Sequence, residues 1–353
     1  MKRIPVRRLH AVAALAAVVL AAAAGAGARE APRPPGRLID VGGYRLHASV
    51  SGRGAPAVVF LNGAGDFSFD WALVQPAVSR FARAVSYDRA GDAWSDLGPV
   101  PRTLKQEAYE LHLLLAKAGV RPPYVLVGHS YGGLLARVYA REYPAETAGM
   151  VLVDSTHENT SLFVNGKIVR LRDGATGRPI PPVQTMKSAP PGPATAEQVR
   201  EYEEFRKMVG PPKLEPPFDR LPVAVQRLDL WARSNPKLSA RGEGYLNEEA
   251  ELLYQEQRRT PHPLGDMPLV VLAGARKADA ENAPPEISAD EWAKTRAEKR
   301  EHMADLSRLS RKGTLVFDET SGHHIQLDNP RLVIDSVRRV VEAARPGRGR
   351  RTR

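Results

Sequence analysis

The chain has 353 residues, 42% of them hydrophobic, which is enough to bury a full core, so a folded globular protein is expected. Its formal charge of +11 resides at the two ends, because residues 1–37 and 345–353 hold the whole excess and 38–344 is formally neutral; a basic groove tracking nucleic acid is thereby excluded. There is no cysteine, which excludes disulfides, thiol catalysis and zinc–thiolate sites.

The chain opens with a charged start (Lys2 to Arg8), an uncharged apolar run over 11–24 and small residues ending in Ala26-Gly27-Ala28. This pattern predicts a cleavable secretory signal over 1–28, with the mature chain starting near Arg29 outside the cytoplasm, secreted or periplasmic. An uncleaved membrane anchor is the competing reading, but the run falls short of the roughly 20 apolar residues that span a bilayer, so no stable insertion is expected after signal removal. Arg7-Arg8 leaves a twin-arginine export route open. A Pro-rich spacer (29–36) follows.

Residues 37–41 and 44–51 flank Gly42-Gly43 and predict a β-hairpin. Next come a strand at 57–61, a helix at 69–81, a strand at 84–87 and a helix at 103–118, on which Leu104, Ala108, Leu111, Leu115 and Ala118 share one face. Strand 124–128, helix 131–143, strands 149–153, 269–273 and 314–317, and a closing helix at 330–344 complete the pattern. The alternation predicts an α/β protein with a mainly parallel central sheet and helices on both faces, its core formed by 37–155 and 264–344. Residues 156–263 interrupt it with a hairpin around Asn165-Gly166, Pro-rich stretches and helical patterns over 195–209, 219–234 and 244–259. This insertion is expected to form a mainly helical cap, or lid, over the carboxyl ends of the strands. Residues 278–312 are a second, charged insertion of helical pattern, expected to be a solvated surface element, and 345–353 a basic disordered tail.

The chemistry centres on Gly128-His129-Ser130-Tyr131-Gly132-Gly133, between a predicted strand and a predicted helix. A serine on so sharp a turn takes a strained backbone, and glycines two residues to either side remove the Cβ atoms that would clash there. Serine needs a base in hydrogen-bond reach, and the base needs a carboxylate to hold its tautomer. Of nine histidines, five lie in the leader, the hairpin, a helix or the insertions; His157 is a weak rival and His129 reads as a packed structural ring. His323 and His324, after the last strand, remain. Two carboxylates end neighbouring strands: Asp154 directly after 149–153, the favoured one, and Asp279 a few residues past 269–273.

Taken together, these segments resemble the α/β-hydrolase superfamily from about Arg37 to Ala344, the insertion excepted. Leu61-Asn62-Gly63-Ala64-Gly65 is similar to its oxyanion loop, Tyr87-Asp88-Arg89-Ala90-Gly91 with Trp94-Ser95-Asp96 to the loop after its fourth strand, and Ser321-Gly322-His323-His324 with Leu327-Asp328-Asn329-Pro330 to its histidine loop. Asn62 departs from the more common histidine. The resemblance implies His323 as the base and the backbone N–H groups of Ala64 and Tyr131 as oxyanion donors. Asp88, Arg89 and Trp94 are expected to anchor loops. The expected activity is acyl transfer from a small-molecule ester to water by Ser130, His323 and Asp154, with no metal or organic cofactor called for. A serine nucleophile argues against the aspartate-dependent dehalogenase and epoxide hydrolase chemistry of the superfamily. Amidase or peptidase, lactonase, cofactor-free perhydrolase and a non-catalytic ligand receptor are the alternatives.

Overall fold

The computed structural model describes residues 31–164, 166–172, 190–240, 248–277, 279 and 283–345. The expected leader and the tail beyond Arg345 lie outside the described residues, as does the start of the predicted helix over 244–259. The compact unit begins at Pro35.

Eight strands form one sheet in the order β1-β2-β4-β3-β5-β6-β9-β10. They are β1 (Arg37–Asp40), β2 (Arg45–Ser51), β3 (Ala57–Leu61), β4 (Ala84–Tyr87), β5 (Tyr124–His129), β6 (Thr147–Val153), β9 (Leu269–Gly274) and β10 (Gly313–Asp318). The hairpin β1–β2 is antiparallel, as is β2 against β4; every other pairing is parallel. β3, β4, β5 and β9 are buried at every position, the mark of strands covered on both faces.

Alternation along the strands sorts the core into two layers. Val59, Leu61, Leu126 and Leu152 face α1 (Leu104–Lys117) and α2 (Tyr131–Glu142), whereas Val58, Phe60, Val127 and Val153 face the closing helix over 330–344. In α1, Leu104, Ala108, Leu111 and Leu115 are fully buried, and Thr103 caps its start by accepting the Gln106 N–H at 3.1 Å.

Three expectations change. The predicted helix over 69–81 is a 3-10 turn (Ser68–Trp71) and one helical turn (Gln75–Val78); Pro76, which lacks an N–H, is tolerated only in a first turn. The helix predicted over 219–234 starts at Val223, after Pro222, with a separate 3-10 turn at Phe218–Arg220. The charged segment 278–312 is more than a solvated appendage: within it Ala289–Ser307 is helical, Met303 and Leu306 are buried in the core, and Lys299 reaches inward.

Between β6 and β9 the chain forms the hairpin β7 (Ser161–Val164) and β8 (Lys167–Arg170), then α3 (Ala196–Val209), α4 (Val223–Arg233) and α5 (Glu248–Arg259). The later helices are α6 (Ala289–Ser307) and α7 (Pro330–Ala344). α4 stands on the loops that follow β3 and β4: Ala232 is buried with Phe67, Phe69 and Trp94, and Trp231 meets the Trp94 ring at 5.2 Å. Just beyond α4, Lys237 donates to the carbonyls of Ala93 and Ser95 at 2.9 and 2.7 Å.

The loop after β6 is tied to α2 by a buried ion pair, Arg137 to Glu158 at 2.6 and 3.0 Å. Burial alone would raise the Glu158 carboxyl; the Arg137 charge outweighs it and brings the group down to about 2. Because the folded value lies below the ordinary one, the stabilisation is complete above about pH 4.5 and is lost as pH falls toward 2. Glu158→Ala leaves the guanidinium buried without its partner and is expected to cost about 3–5 kcal/mol of unfolding free energy at pH 7. Urea denaturation of both proteins checks this; a gap that does not narrow between pH 4.5 and pH 2.5 would contradict the assignment.

Candidate functional site

Register places the site. His129 pairs with Val153, and Val153 with Leu272, so Ser130 and Asp154 are the first residues to leave β5 and β6 at the same carboxyl edge of the sheet. Both have left-handed backbones, Ser130 at φ 51° and ψ −121° and Asp154 at φ 41°. Such strain persists only where the surroundings over-determine it. Here the Ser130 N–H donates to the Val153 carbonyl at 3.1 Å and the Ser130 carbonyl accepts from Thr156 N–H at 3.0 Å. A Cβ on Gly128 would lie 2.4 Å from the Gly132 carbonyl oxygen, and one on Gly132 would lie 2.2 Å from that of Leu61. No other residue fits either position.

Asp154 is buried, and its carboxylate is fully engaged. Oδ2 accepts from His323 Nδ1 at 2.6 Å and from Lys299 Nζ at 2.7 Å, while Oδ1 accepts the Gly274 N–H at 2.9 Å. Burial would raise this carboxyl, but the Lys299 charge and the His323 bond hold it well below the usual carboxylate range. With Nδ1 held by Asp154, Nε2 is the free nitrogen of His323, whose side chain is 48% exposed. Asp279, the other candidate acid, is 38% exposed and faces Arg276 at 3.8 Å, beside Gly322 rather than the His323 ring.

The histidine loop is pinned on both sides. Asp318 accepts from Ser321 Oγ at 2.6 Å and from Asn329 Nδ2 at 3.0 Å, and Asp328 accepts the Gly322 N–H at 2.9 Å. His129 is fully buried between two acceptors, Asp66 (Nδ1···Oδ2 2.7 Å) and the His323 carbonyl (Nε2···O 3.0 Å). Burial pushes its ring down to about 4 against the pull of Asp66, so near neutrality it has one hydrogen for these two neighbours. The structural role expected for His129 holds, and Asp66 is the partner that the sequence did not indicate. His324 packs edge-on against Phe218, with Nε2 3.5 Å from Asp66 Oδ1. The Asp66–His129 separation is that of a hydrogen bond, and no metal is assigned to this cluster. His157 is buried in a stack with His302, its Nδ1 accepting the Asn159 N–H at 3.0 Å, an engagement that accounts for it without a role as base.

On the other side of Ser130, the 61–65 loop places Ala64 at the surface and turns through Gly65 at φ 79°. Arg89, itself buried, donates to the carbonyls of Asn62 at 2.5 Å and Gly63 at 2.7 Å. Asn62, the departure from the superfamily's histidine, is a brace: its Nδ2 donates to the Tyr87 carbonyl at 2.8 Å and its Oδ1 accepts from Trp71 Nε1 at 2.9 Å. The expected anchoring by Asp88 is through His47, at 2.7 Å, rather than through Arg89. Tyr131 opens α2, putting its backbone N–H at the helix start, where such groups have no partner within the helix.

Lys299, like Asp66, went unmarked in the sequence. It stands 145 positions from Asp154, in a segment whose charge reads as solvated, and no local motif marks it.

The profile of the alpha/beta hydrolase family matches residues 58–336. A 131-residue stretch is 39% identical to the probable transporter efuK of Hormonema carpetanum, which is 35% of this chain but only 19% of that protein. An AB hydrolase superfamily protein of Gibberella zeae is 26% identical over 305 residues, 82% of this chain and 87% of its own length. Among solved structures, a thermophilic esterase from Thermogutta terrifontis, with malate bound, has a similar fold at a TM-score of 0.54 and 19% identity, over 86% of this chain and 95% of that one.

Proposed function

Because the chain belongs to the alpha/beta hydrolase family, we propose that it is a serine hydrolase that transfers the acyl group of a small-molecule ester to water. Ser130 attacks the ester carbonyl, and His323 Nε2 takes the hydroxyl proton and returns it to the leaving alcohol. Asp154 holds the ring through Nδ1 and stabilises the imidazolium. The N–H groups of Ala64 and Tyr131 receive the developing oxyanion. Water then attacks the acyl-enzyme by the same proton route.

The observation that carries this reading is the pairing of a left-handed Ser130 with a His323–Asp154 hydrogen bond of 2.6 Å across one sheet edge. We read the 156–263 segment as a lid that shapes the acyl pocket, supported by the seat of α4 on Trp94 and Phe67. Export after removal of 1–28 belongs to the same proposal.

A fluorophosphonate probe tests the reading directly, since it phosphonylates only an activated serine. Purified protein is expected to gain one adduct, mapped to Ser130 by peptide mass and absent from Ser130→Ala. Folded protein that gains none would favour a ligand receptor.

A further inference from the structure

We propose that Lys299 is a positioning residue that sets the pH range over which His323 works as a base, acting through the Asp154 carboxylate that the two share. The inference rests on the Ser130–His323–Asp154 reading above and deepens it.

A buried carboxylate beside an imidazole favours the imidazolium, because the negative charge attracts the ring's second proton. Unopposed, Asp154 would keep His323 protonated to higher pH, and a protonated ring cannot accept the serine proton. Lys299 opposes it at the same atom. His323 Nδ1 and Lys299 Nζ lie 2.6 and 2.7 Å from Asp154 Oδ2, which puts the two nitrogens less than about 5.5 Å apart. At that separation the ammonium offsets much of the carboxylate's field at the ring while leaving the orienting hydrogen bond in place.

The other groups around His323 do not duplicate this. The His129 and His324 rings lie 4.7 and 5.2 Å from it, with Asp66 bonded behind them. Arg276 and Asp279 flank Gly322 and face each other, and Arg276 also pairs with Asp328. None of these touches the Asp154 carboxylate among the described contacts. The ammonium is supplied by α6, outside the strand-end loops, and the side chain remains 31% exposed beside a cavity of about 130 Å³ lined by Gly274, Met303 and Phe317. Among the described contacts Lys299 bonds Asp154 and the Gly274 carbonyl, so its replacement removes no bond to Ser130 or His323.

A purely structural Lys299, one that only holds α6 to the sheet through its bonds to Asp154 and the Gly274 carbonyl, would on removal lower activity by one factor at every pH. A tuning Lys299 would move the acid limb. The experiment is the pH profile of kcat/KM for p-nitrophenyl acetate, between pH 4.5 and 9, for the wild type, Lys299→Met, Lys299→Gln and Lys299→Arg. The glutamine variant keeps a hydrogen-bond donor for Asp154 should the methionine variant fail to fold. The neutral variants are expected to shift the acid limb up by about one pH unit, a roughly tenfold loss near pH 5.5 that is regained at high pH, and arginine to restore the wild-type profile. An acid limb that coincides with the wild type in the neutral variants overturns the proposal, whatever the overall rate. A Ser130→Ala protein assayed alongside separates the two failures: if it still turns over ester, the catalytic reading itself has fallen, and this inference with it.

Discussion

Ser130→Ala is expected to lower kcat for a p-nitrophenyl ester by about 10⁴- to 10⁶-fold, His323→Ala by a similar factor, and the double variant by little more than either. The near-equality follows from the chemistry, since a serine without its base and a base without its serine each leave the acyl transfer without a nucleophile. On the proposed mechanism, what persists is the contribution of binding and of the Ala64 and Tyr131 amides. His324→Ala serves as the control, because its ring packs against Phe218 and faces Asp66 rather than Asp154. That variant is expected to retain most of the activity. An inactive His324→Ala beside an active His323→Ala would exchange the roles of the two rings.

Asp154→Asn carries the next largest effect, a fall of about 10⁴-fold in kcat. Asparagine keeps the shape and can still accept at Oδ1. It removes the charge that supports the imidazolium, and its amide nitrogen can turn a donor toward His323 Nδ1 and favour the wrong tautomer. Lys299 loses its counter-charge in the same step, so some loss of stability accompanies the loss of rate, and thermal denaturation of the variant measures that part separately. Asp279→Asn is expected to be close to wild type, because its carboxylate is partly exposed against Arg276. Should Asp279→Asn be the inactive variant, the acid belongs to the loop after β9, and the bond between His323 and Asp154 is structural.

The strands and the turn at Ser130 were legible in the sequence because their causes are local. Short Val- and Leu-rich runs, each led by a proline, marked β3 and β5 to within a residue, and the Gly-x-Ser-x-Gly spacing marks a turn whose sterics admit little else. Asp154 was legible for a related reason, since it directly follows a strand adjacent to the nucleophile's. The stretch 69–81 misled because its apolar spacing suits a helix that Pro76 interrupts. Lys299, Asp66 and the Arg89 contacts were illegible because each acts across a large sequence separation: Lys299 on Asp154, Asp66 on His129, Arg89 on Asn62 and Gly63. A lysine on a charged helix has the same local pattern whether its ammonium meets water or a buried carboxylate.

The pairing of His129 with Val153 makes the sheet a ruler for the proposed reaction. Adjacent strands stand about 4.8 Å apart, so the origins of Ser130 and Asp154 are separated by a length that backbone hydrogen bonds fix and side chains cannot alter. His323 comes from β10, two strand widths beyond β6, or about 10 Å, and the four residues between Asp318 and His323 can span that gap. The spacings on which the proposed proton transfer depends are therefore written in strand order and one short loop. Of the residues between Asp154 and Leu269, Thr156 and Glu158 bind this edge, through the Ser130 carbonyl and Arg137, while the strand register itself is set by β5, β6 and β9. Substitutions remote from these strands therefore leave the separation of Ser130 from Asp154 unchanged.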